Sequence, residues 1–356
     1  MLFRNAKSQL EGLLCFRTTI RKENEVISLN RIKLAILGCA WLTQSVAYSK
    51  EFQVGIVLDK GGKDDKSFNT SALEGARKAQ KDLGVPFKFV ESSDDHSFEP
   101  MLRSFAKKDF DLVFAIGFSQ AEALQKVSKA FPKVKFAIVD AEVNAANVQS
   151  LMFEEHEGSY LVGALAALSS KSGKIGFIGG MDIPLIRRFL LGYESGAKKI
   201  NPNIVVTSQF VGVTGDAWNN PTKAKELALN QFNQQVDVVF AAAGASGMGL
   251  FDAAAEKKKL AIGVDSNQNG IKPGTILTSM LKKVDEAVYS SIKGTKEGKF
   301  SPGTKRYGLA DGGVDYAMDQ HNEKLISKEM KAKVDDLKSQ IVSKKISVPD
   351  FYKTPK

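Results

Sequence analysis

Residues Val54 to Gly75 read V-G-I-V-L-D-K-G-G-K-D-D-K-S-F-N-T-S-A-L-E-G. Val54, Ile56 and Leu58 lie within a short apolar run that suits a buried strand, Asp59 to Asp65 is turn chemistry with two glycines, and Ala72 onward is helix-forming. Strand, polar loop and helix in that order open an α/β unit. In open α/β sheets, ligands bind in the crevice beyond the carboxyl ends of the strands, which places a site over Asp59 to Asn69. The loop holds the carboxylates Asp59, Asp64 and Asp65, the aromatic Phe68 and the amide Asn69. That set suits a neutral, flat, hydroxylated ligand better than a phosphate, and the phosphate-loop pattern G-x-x-x-x-G-K-[ST] is missing here. The same residues also read as an acidic turn, with Asn69 or Ser67 capping the helix and Phe68 entering the core.

Working outward, the 356 residues suffice for about two domains, and 43% hydrophobic content can fill a core in each. The formal charge of +10 is partly a matter of the first 49 residues, which hold seven Lys/Arg and three Asp/Glu. The remaining 43 basic and 37 acidic side chains are spread out, without basic runs interleaved with aromatics, which argues against a nucleic-acid partner. Both cysteines, Cys15 and Cys39, fall in the same first 49 residues, so no disulfide, thiolate metal site or cysteine nucleophile is available from Lys50 onward. His96, His156 and His321 are widely spaced and match no ligand pattern.

Arg31 and Lys33 precede an apolar run from Leu34 to Ala47 that ends in the small residues Ser45, Ala47 and Ser49. This is the layout of a secretory signal, with cleavage after Ala47 or after Ser49. Ile36-Leu37-Gly38-Cys39 also resembles a lipobox, which gives lipid anchoring at Cys39 as the alternative to a soluble periplasmic product.

Downstream, the pattern predicts helix Leu73 to Leu83, strand Phe87 to Glu91, helix Phe98 to Lys108, strand Leu112 to Ile116, helix Ala121 to Ala130 and strand Phe136 to Val139. Strands and helices thus alternate every 25 to 30 residues or so, the mark of a parallel, doubly wound sheet. The carboxyl ends of three of the strands deliver Asp59, Phe118 (after Gly117) and Asp140. From Tyr160 the alternation begins again: helix through Leu168, strand Ile175 to Ile178, helix Arg187 to Ile200, strand Ile204 to Phe210, helix Thr222 to Gln231, strand Val236 to Ala241, helix Leu250 to Glu256 and strand Ala261 to Val264, followed by Asp265. Gly244-Ala245-Ser246-Gly247-Met248-Gly249 lacks the spacing of a dinucleotide fingerprint and reads as a backbone approach to a ligand or a tight turn. Thr275 to Met280 is extended, Lys282 to Lys293 helical, Tyr307 to Tyr316 a strand pair, and Asn322 to Lys344 a lysine-rich amphipathic helix.

Five motifs then occur in order: D-x-G-G-x-D-D-x-S-F-N with E-G (Asp59 to Gly75), F-x-E-x-E-G-x-Y-L-x-G-A-L-A-A-L (Phe153 to Leu168), F-I-G-G-x-x-x-P with F-x-x-G-Y-x-x-G (Phe177 to Gly196), I-G-V-D-S-x-Q (Ile262 to Gln268) and T-S-M-L-K-x-V-D (Thr278 to Asp285). Together they resemble the basic-membrane-protein, or purine-nucleoside-receptor, family of substrate-binding proteins, from about Phe52 to Tyr352. The resemblance implies a type I periplasmic binding-protein fold: two doubly wound α/β lobes joined by three crossings, closing on a nucleoside and delivering it to an ABC importer. The crossings are expected near Leu151, Thr275 and Thr304, giving one lobe from 52–151 plus 275–303 and the other from 152–274 plus 304–356, behind a leader over 1–49 whose signal peptide covers about 29–49. It further implies that Phe68 stacks on the base while Asn69 and Asp140 bond its edge, that Phe189 and Trp218 supply the other aromatic face, that Asp265 and Lys282 hold ribose hydroxyls, and that Gly244 offers backbone groups. Asp59 and Asp65 complete the expected set. The expected partners are a nucleoside and the permease and ATPase of the transporter, with no cofactor. The chain departs from the family pattern at Asn220-Pro221, where an acidic residue is usual, and at Leu73, where an aromatic is.

Two other readings remain open on the residues alone. A periplasmic nucleoside hydrolase would gather Asp59, Asp64 and Asp65 around a calcium-like ion. The same fold with a sugar or another small metabolite is the second, since aromatic faces also pack on pyranose rings.

Overall fold

The computed structural model describes residues 50–92 and 94–353; the expected leader and signal peptide, with both cysteines, lie outside the described residues. The opening stretch folds as expected, into β1 (Val54–Leu58), a loop and α1 (Phe68–Leu83), although the helix begins several residues before the predicted Leu73. There follow β2 (Phe87–Glu91), α2 (Phe98–Lys107), β3 (Leu112–Ile116), α3 (Ala121–Ala130), β4 (Lys135–Val139) and β5 (Val148–Phe153). All five residues of β1 and of β3 are buried, because helices cover both faces of the sheet, and this is why they read as continuous apolar runs rather than as alternation. β5 was not expected from the sequence: V-Q-S-L-M-F breaks its apolar run with Gln149 and Ser150.

The second half comprises α4 (Glu155–Ser169), β6 (Lys174–Met181), α5 (Pro184–Ile200), β7 (Val205–Gly212), α6 (Pro221–Asn233), β8 (Val238–Ala242), α7 (Gly247–Lys257), β9 (Leu260–Asp265), β10 (Ile276–Lys282), α8 (Val284–Lys296), β11 (Gly303–Tyr307), β12 (Val314–Tyr316) and α9 (Lys328–Val342). The strands form two six-stranded sheets, in the orders β2-β1-β3-β4-β5-β11 and β7-β6-β8-β9-β10-β12. Pairing is parallel throughout except between β10 and β12. Among the described residues no helix is long and apolar enough to cross a membrane.

The chain passes between the sheets three times: after Phe153, after Lys282 and between Tyr307 and Val314. The first passage lies close to the expected Leu151. The other two correct the expected boundaries. Residues 276–282 pair in parallel with β9 and belong to the second sheet, whereas 303–307 pair in parallel with β5 and belong to the first. The turn signals Pro273-Gly274 and Pro302-Gly303 mark where strands begin, and a sheet change needs no such signal. Tyr307 to Tyr316 is accordingly no hairpin, since its two strands lie in different sheets. The crossings are bonded to one another: Glu154 N–H donates to the Tyr307 carbonyl at 2.8 Å, and Lys283 N–H to the Gly313 carbonyl at 2.9 Å.

Glycine explains two of the motifs. In F-x-x-G-Y-x-x-G, a Cβ on Gly192 would lie 2.3 Å from the His156 carbonyl oxygen and one on Gly196 1.9 Å from that of Tyr160, so α5 lies backbone to backbone on α4. Likewise, Gly75 brings α1 against α8, where a Cβ would meet the Asp285 carbonyl at 2.2 Å. These contacts fix the helices that carry Phe189 and Phe68.

Candidate ligand-binding cleft

The carboxyl ends of strands from both sheets face one cleft. All ten residues singled out in the sequence line it: Asp59, Asp65, Phe68, Asn69 and Asp140 from the first lobe, and Phe189, Trp218, Gly244, Asp265 and Lys282 from the second. Beside them lie Phe118, Leu185, Ile186 and Val264, which were not in the expected set. Phe118 meets Trp218 across the cleft, edge to face, with ring centroids 6.2 Å apart. Gly180 makes room for the indole, since a Cβ there would come within 2.1 Å of Trp218 Cζ3.

The polar groups divide by what already satisfies them. Asp65 turns its carboxylate onto the first turn of α1, accepting from the N–H groups of Ser67 (2.9 Å), Asn69 (2.8 Å) and Thr70 (3.0 Å). It is therefore the cap of α1, a task the sequence reading had offered to Ser67 or Asn69. The Asn69 amide bridges the Asp59 backbone, accepting from its N–H and donating to its carbonyl, both at 3.1 Å. Asp64 is exposed and does not line the cleft, so the three acidic residues of the loop do not gather round one point.

Asp59, Asp140 and Asp265 follow directly on, or end, strands β1, β4 and β9 and are almost fully buried. Asp140 and Asp265 occupy equivalent positions, each at the end of the fourth strand of its lobe, and both adopt left-handed backbone, with φ of 68° and 63°. Such geometry is uncommon outside glycine, is best tolerated by Asp and Asn, and gathers at binding sites. One Asp59 oxygen accepts from Lys60 N–H (2.9 Å) and Ser119 Oγ (3.1 Å), while the other lies over Gly117, where a Cβ would come within 2.4 Å. Ser67 Oγ donates to Asp265 Oδ2 at 2.5 Å, a bond from lobe to lobe. Burial pushes both Asp59 and Asp265 up to about 6, against the pull of those hydrogen bonds and, for Asp265, of Lys282.

Lys282 is the cleft's one cation among the lining residues. Its ammonium lies 2.5 Å from Asp140 Oδ2 and 3.3 Å from Glu155 Oε1. It also faces the rings of Phe68, Phe153 and Phe189 at 5.2, 5.2 and 5.7 Å. Burial pulls the Lys282 pKa down, but the carboxylates of Asp140, Glu155 and Asp265 outweigh it and hold the group above the usual lysine range. Burial raises the Asp140 carboxyl, with Lys282 opposing. The second Asp140 oxygen, Oδ1, is buried without a hydrogen-bond partner, an acceptor in want of a donor.

Glu155 was missed as a site residue, although it is the first fixed glutamate of F-x-E-x-E-G. Fully buried, it lies between Lys282 and Arg188, one oxygen toward each. Arg188 in turn fills the space on which donor atoms of Glu154, His156 and Asp350 converge to within 4.8 Å of one another. Its NH2 group bonds all three, at 2.7, 3.1 and 3.2 Å, so a guanidinium holds the place a metal ion would take.

Comparison with known proteins agrees with this architecture. Residues 52–351 match the family model described as ABC transporter substrate-binding protein PnrA-like. A Listeria innocua protein named CD4+ T-cell-stimulating antigen is 37% identical over 325 residues, covering 85% of this chain and 89% of its own. The Lactococcus lactis ABC transporter nucleoside-binding protein BmpA is 33% identical over 357 residues, covering 92% and 99%. Among solved structures, an ABC transporter system solute-binding protein from Aeropyrum pernix K1 superposes with a TM-score of 0.78 at 30% identity, covering 84% of this chain and 94% of that one. With two α/β lobes around a cleft and the family match spanning both, this chain belongs to the PnrA-like family of ABC transporter substrate-binding proteins.

Proposed function

We propose that the chain captures a nucleoside, a purine nucleoside first, between its two lobes and passes it unchanged to the permease and ATPase of an ABC importer. The observation that carries this reading is the divided lining of the cleft. Phe68, Phe118, Phe189 and Trp218 provide flat apolar surface for a base, while Asp59, Asp140 and Asp265 provide buried acceptors for hydroxyl or amino donors. Stacking contributes ~1–3 kcal/mol per base, and charge-assisted hydrogen bonds are the strong ones. The name of the Lactococcus lactis relative points to the same ligand class. No cofactor enters, and the hydrolase reading loses its ion site, because Asp64 faces solvent and Asp65 is bonded to the α1 amides. In this reading the protein acts outside the cytoplasmic membrane, free after signal cleavage or anchored through Cys39, and mass spectrometry of the mature N-terminus separates the two.

The test is calorimetric titration with a nucleoside panel and with ribose, followed by chromatography of the recovered ligand. Tight binding of unchanged purine nucleoside, weakened by about 1–3 kcal/mol in Phe68→Ala, is the expected result. Preference for a sugar, or release of free base, would replace the reading with one of its two rivals.

A further inference from the structure

Asp350 lies far along the chain from every residue of the cleft, in the segment that follows α9. Its carboxylate takes Arg188 in a two-pronged grip, accepting from Nε at 2.7 Å and from NH2 at 3.2 Å, and Lys353 approaches it at 3.8 Å. The Tyr352 ring covers the guanidinium at 4.5 Å. Arg188 itself is wholly buried. Its remaining donors reach the Phe153 carbonyl at 2.7 Å, Glu155, Glu154 and His156. Burial holds the His156 imidazole down at about 4, so it meets the guanidinium as a neutral acceptor.

These contacts form a continuous line. Asp350 orients Arg188; Arg188 holds one oxygen of Glu155; the other Glu155 oxygen faces the Lys282 ammonium, which with Asp140 lines the cleft. The line spans the first crossing, at Phe153 to Glu155, and the second, at Lys282. A planar guanidinium presents donors in a fixed fork, so loss of one bidentate partner reorients the whole group rather than freeing one bond. Glu155 Oε1 is buried without a hydrogen bond despite its closeness to Lys282, so the ion pair of the other oxygen with Arg188 bears on where it stands.

We propose that Asp350 is a positioning residue for ligand capture: by fixing Arg188 against Glu155 it sets where the Lys282 ammonium stands in the cleft wall. This rests on the reading of the cleft as the nucleoside site, but its first test does not need a ligand. The buried Lys282 ammonium is followed by NMR in protein with labelled lysine and assigned by its loss in Lys282→Gln. Asp350→Asn should shift that resonance, Asp350→Glu should return it toward the wild-type position, and Asp182→Asn should leave it in place. The last variant removes the exposed partner of the neighbouring Arg187 and serves as control. Nucleoside affinity, titrated in the same variants, should fall about tenfold in Asp350→Asn, partly recover in Asp350→Glu and stay within about twofold in Asp182→Asn. An unmoved Lys282 resonance, or full affinity in Asp350→Asn, would overturn the proposal; should that variant not fold, Asp350→Ser, which likewise removes the two-pronged acceptor, is judged by the same two readouts. A wild-type protein that ignores nucleosides would instead overturn the ligand reading, with the resonance still deciding the role of Asp350.

Discussion

Asp59 and Asp265 are each buried beside too little positive charge, and burial raises both to about 6 from an ordinary value of 3.8. The sign of the consequence follows from linkage. A carboxyl with a raised folded pKa binds its proton more tightly in the folded state, so the empty protein gains stability from these two groups as pH falls through about 6, and loses it as they ionise. A ligand hydroxyl that donates to the ionised carboxylate favours the opposite form. Nucleoside affinity should therefore be full at about pH 7.5 and fall below about pH 6, by up to about tenfold per pH unit for each proton involved. Titrations at several pH values check this, and Asp59→Asn should flatten the profile; a level profile in the wild type down to about pH 5 would show that neither carboxylate changes its protonation on binding. At this scale the sequence showed much, because a carboxylate or lysine just after a buried strand in an α/β unit points to the strand-end crevice. It did not show what already occupies each group. That Asp65 is taken by backbone amides, that Asn69 bridges the Asp59 backbone, and that Glu155 stands between two cations depend on contacts no spacing rule encodes.

Helix α1 carries Phe68 and Asn69 on its first turn, so the cap of that helix also sets the cleft wall. Asp65 satisfies three N–H groups there, and Ser67, at the formal cap position, makes no side-chain cap bond; its hydroxyl goes to Asp265 in the other lobe instead. Asp65→Ala should lower unfolding stability by about 2–3 kcal/mol, the cost of a lost cap plus buried donors left unpaired. Urea unfolding of the ligand-free protein measures it, and a change below about 0.5 kcal/mol would mean that water or another side chain replaces the carboxylate. Elements with unbroken apolar text, such as β1, β3 and β8, were legible from the chain alone. β5 was not, since Gln149 is drawn to Ser291 and Ser301 and Ser150 accepts from Val143 N–H, so polar residues sit inside a strand without penalty. The start of α1 falls earlier than its composition suggests: Phe68 to Ser71 reads as loop and becomes helical through the cap from nearby Asp65, with the Ser71 hydroxyl accepting from the distant Asp285 N–H.

At the scale of the molecule, periodicity revealed two repeats of strand and helix but could not say which sheet a strand joins after the first crossing. β10 and β11 are both short extended runs, and their membership is decided by parallel edges already formed at β9 and β5, information held elsewhere in the chain. The same topology makes the ligand a link between lobes. Its expected contacts come from both sheets, while protein contacts already join them through Ser67 and Asp265, Lys282 and Asp140, and Phe118 and Trp218. A ligand bound only by the folded protein, at about one hundred times its dissociation constant, adds about 2.7 kcal/mol, which for a chain of this size raises the unfolding midpoint by about 4–8 °C. Inosine or guanosine should produce that shift, and ribose, lacking a base to stack, should not. A nucleoside 5′-monophosphate brings further negative charge into a cleft lined by Asp59, Asp65, Asp140 and Asp265, whose one lining cation, Lys282, is already paired. The first turn of α1, the helix terminus where a phosphate would find amides, is filled by Asp65. The monophosphate should thus leave the midpoint where it was, and a shift equal to that of the nucleoside would mean that the phosphate remains in solvent outside the cleft mouth, with the closed lobes gripping only base and sugar.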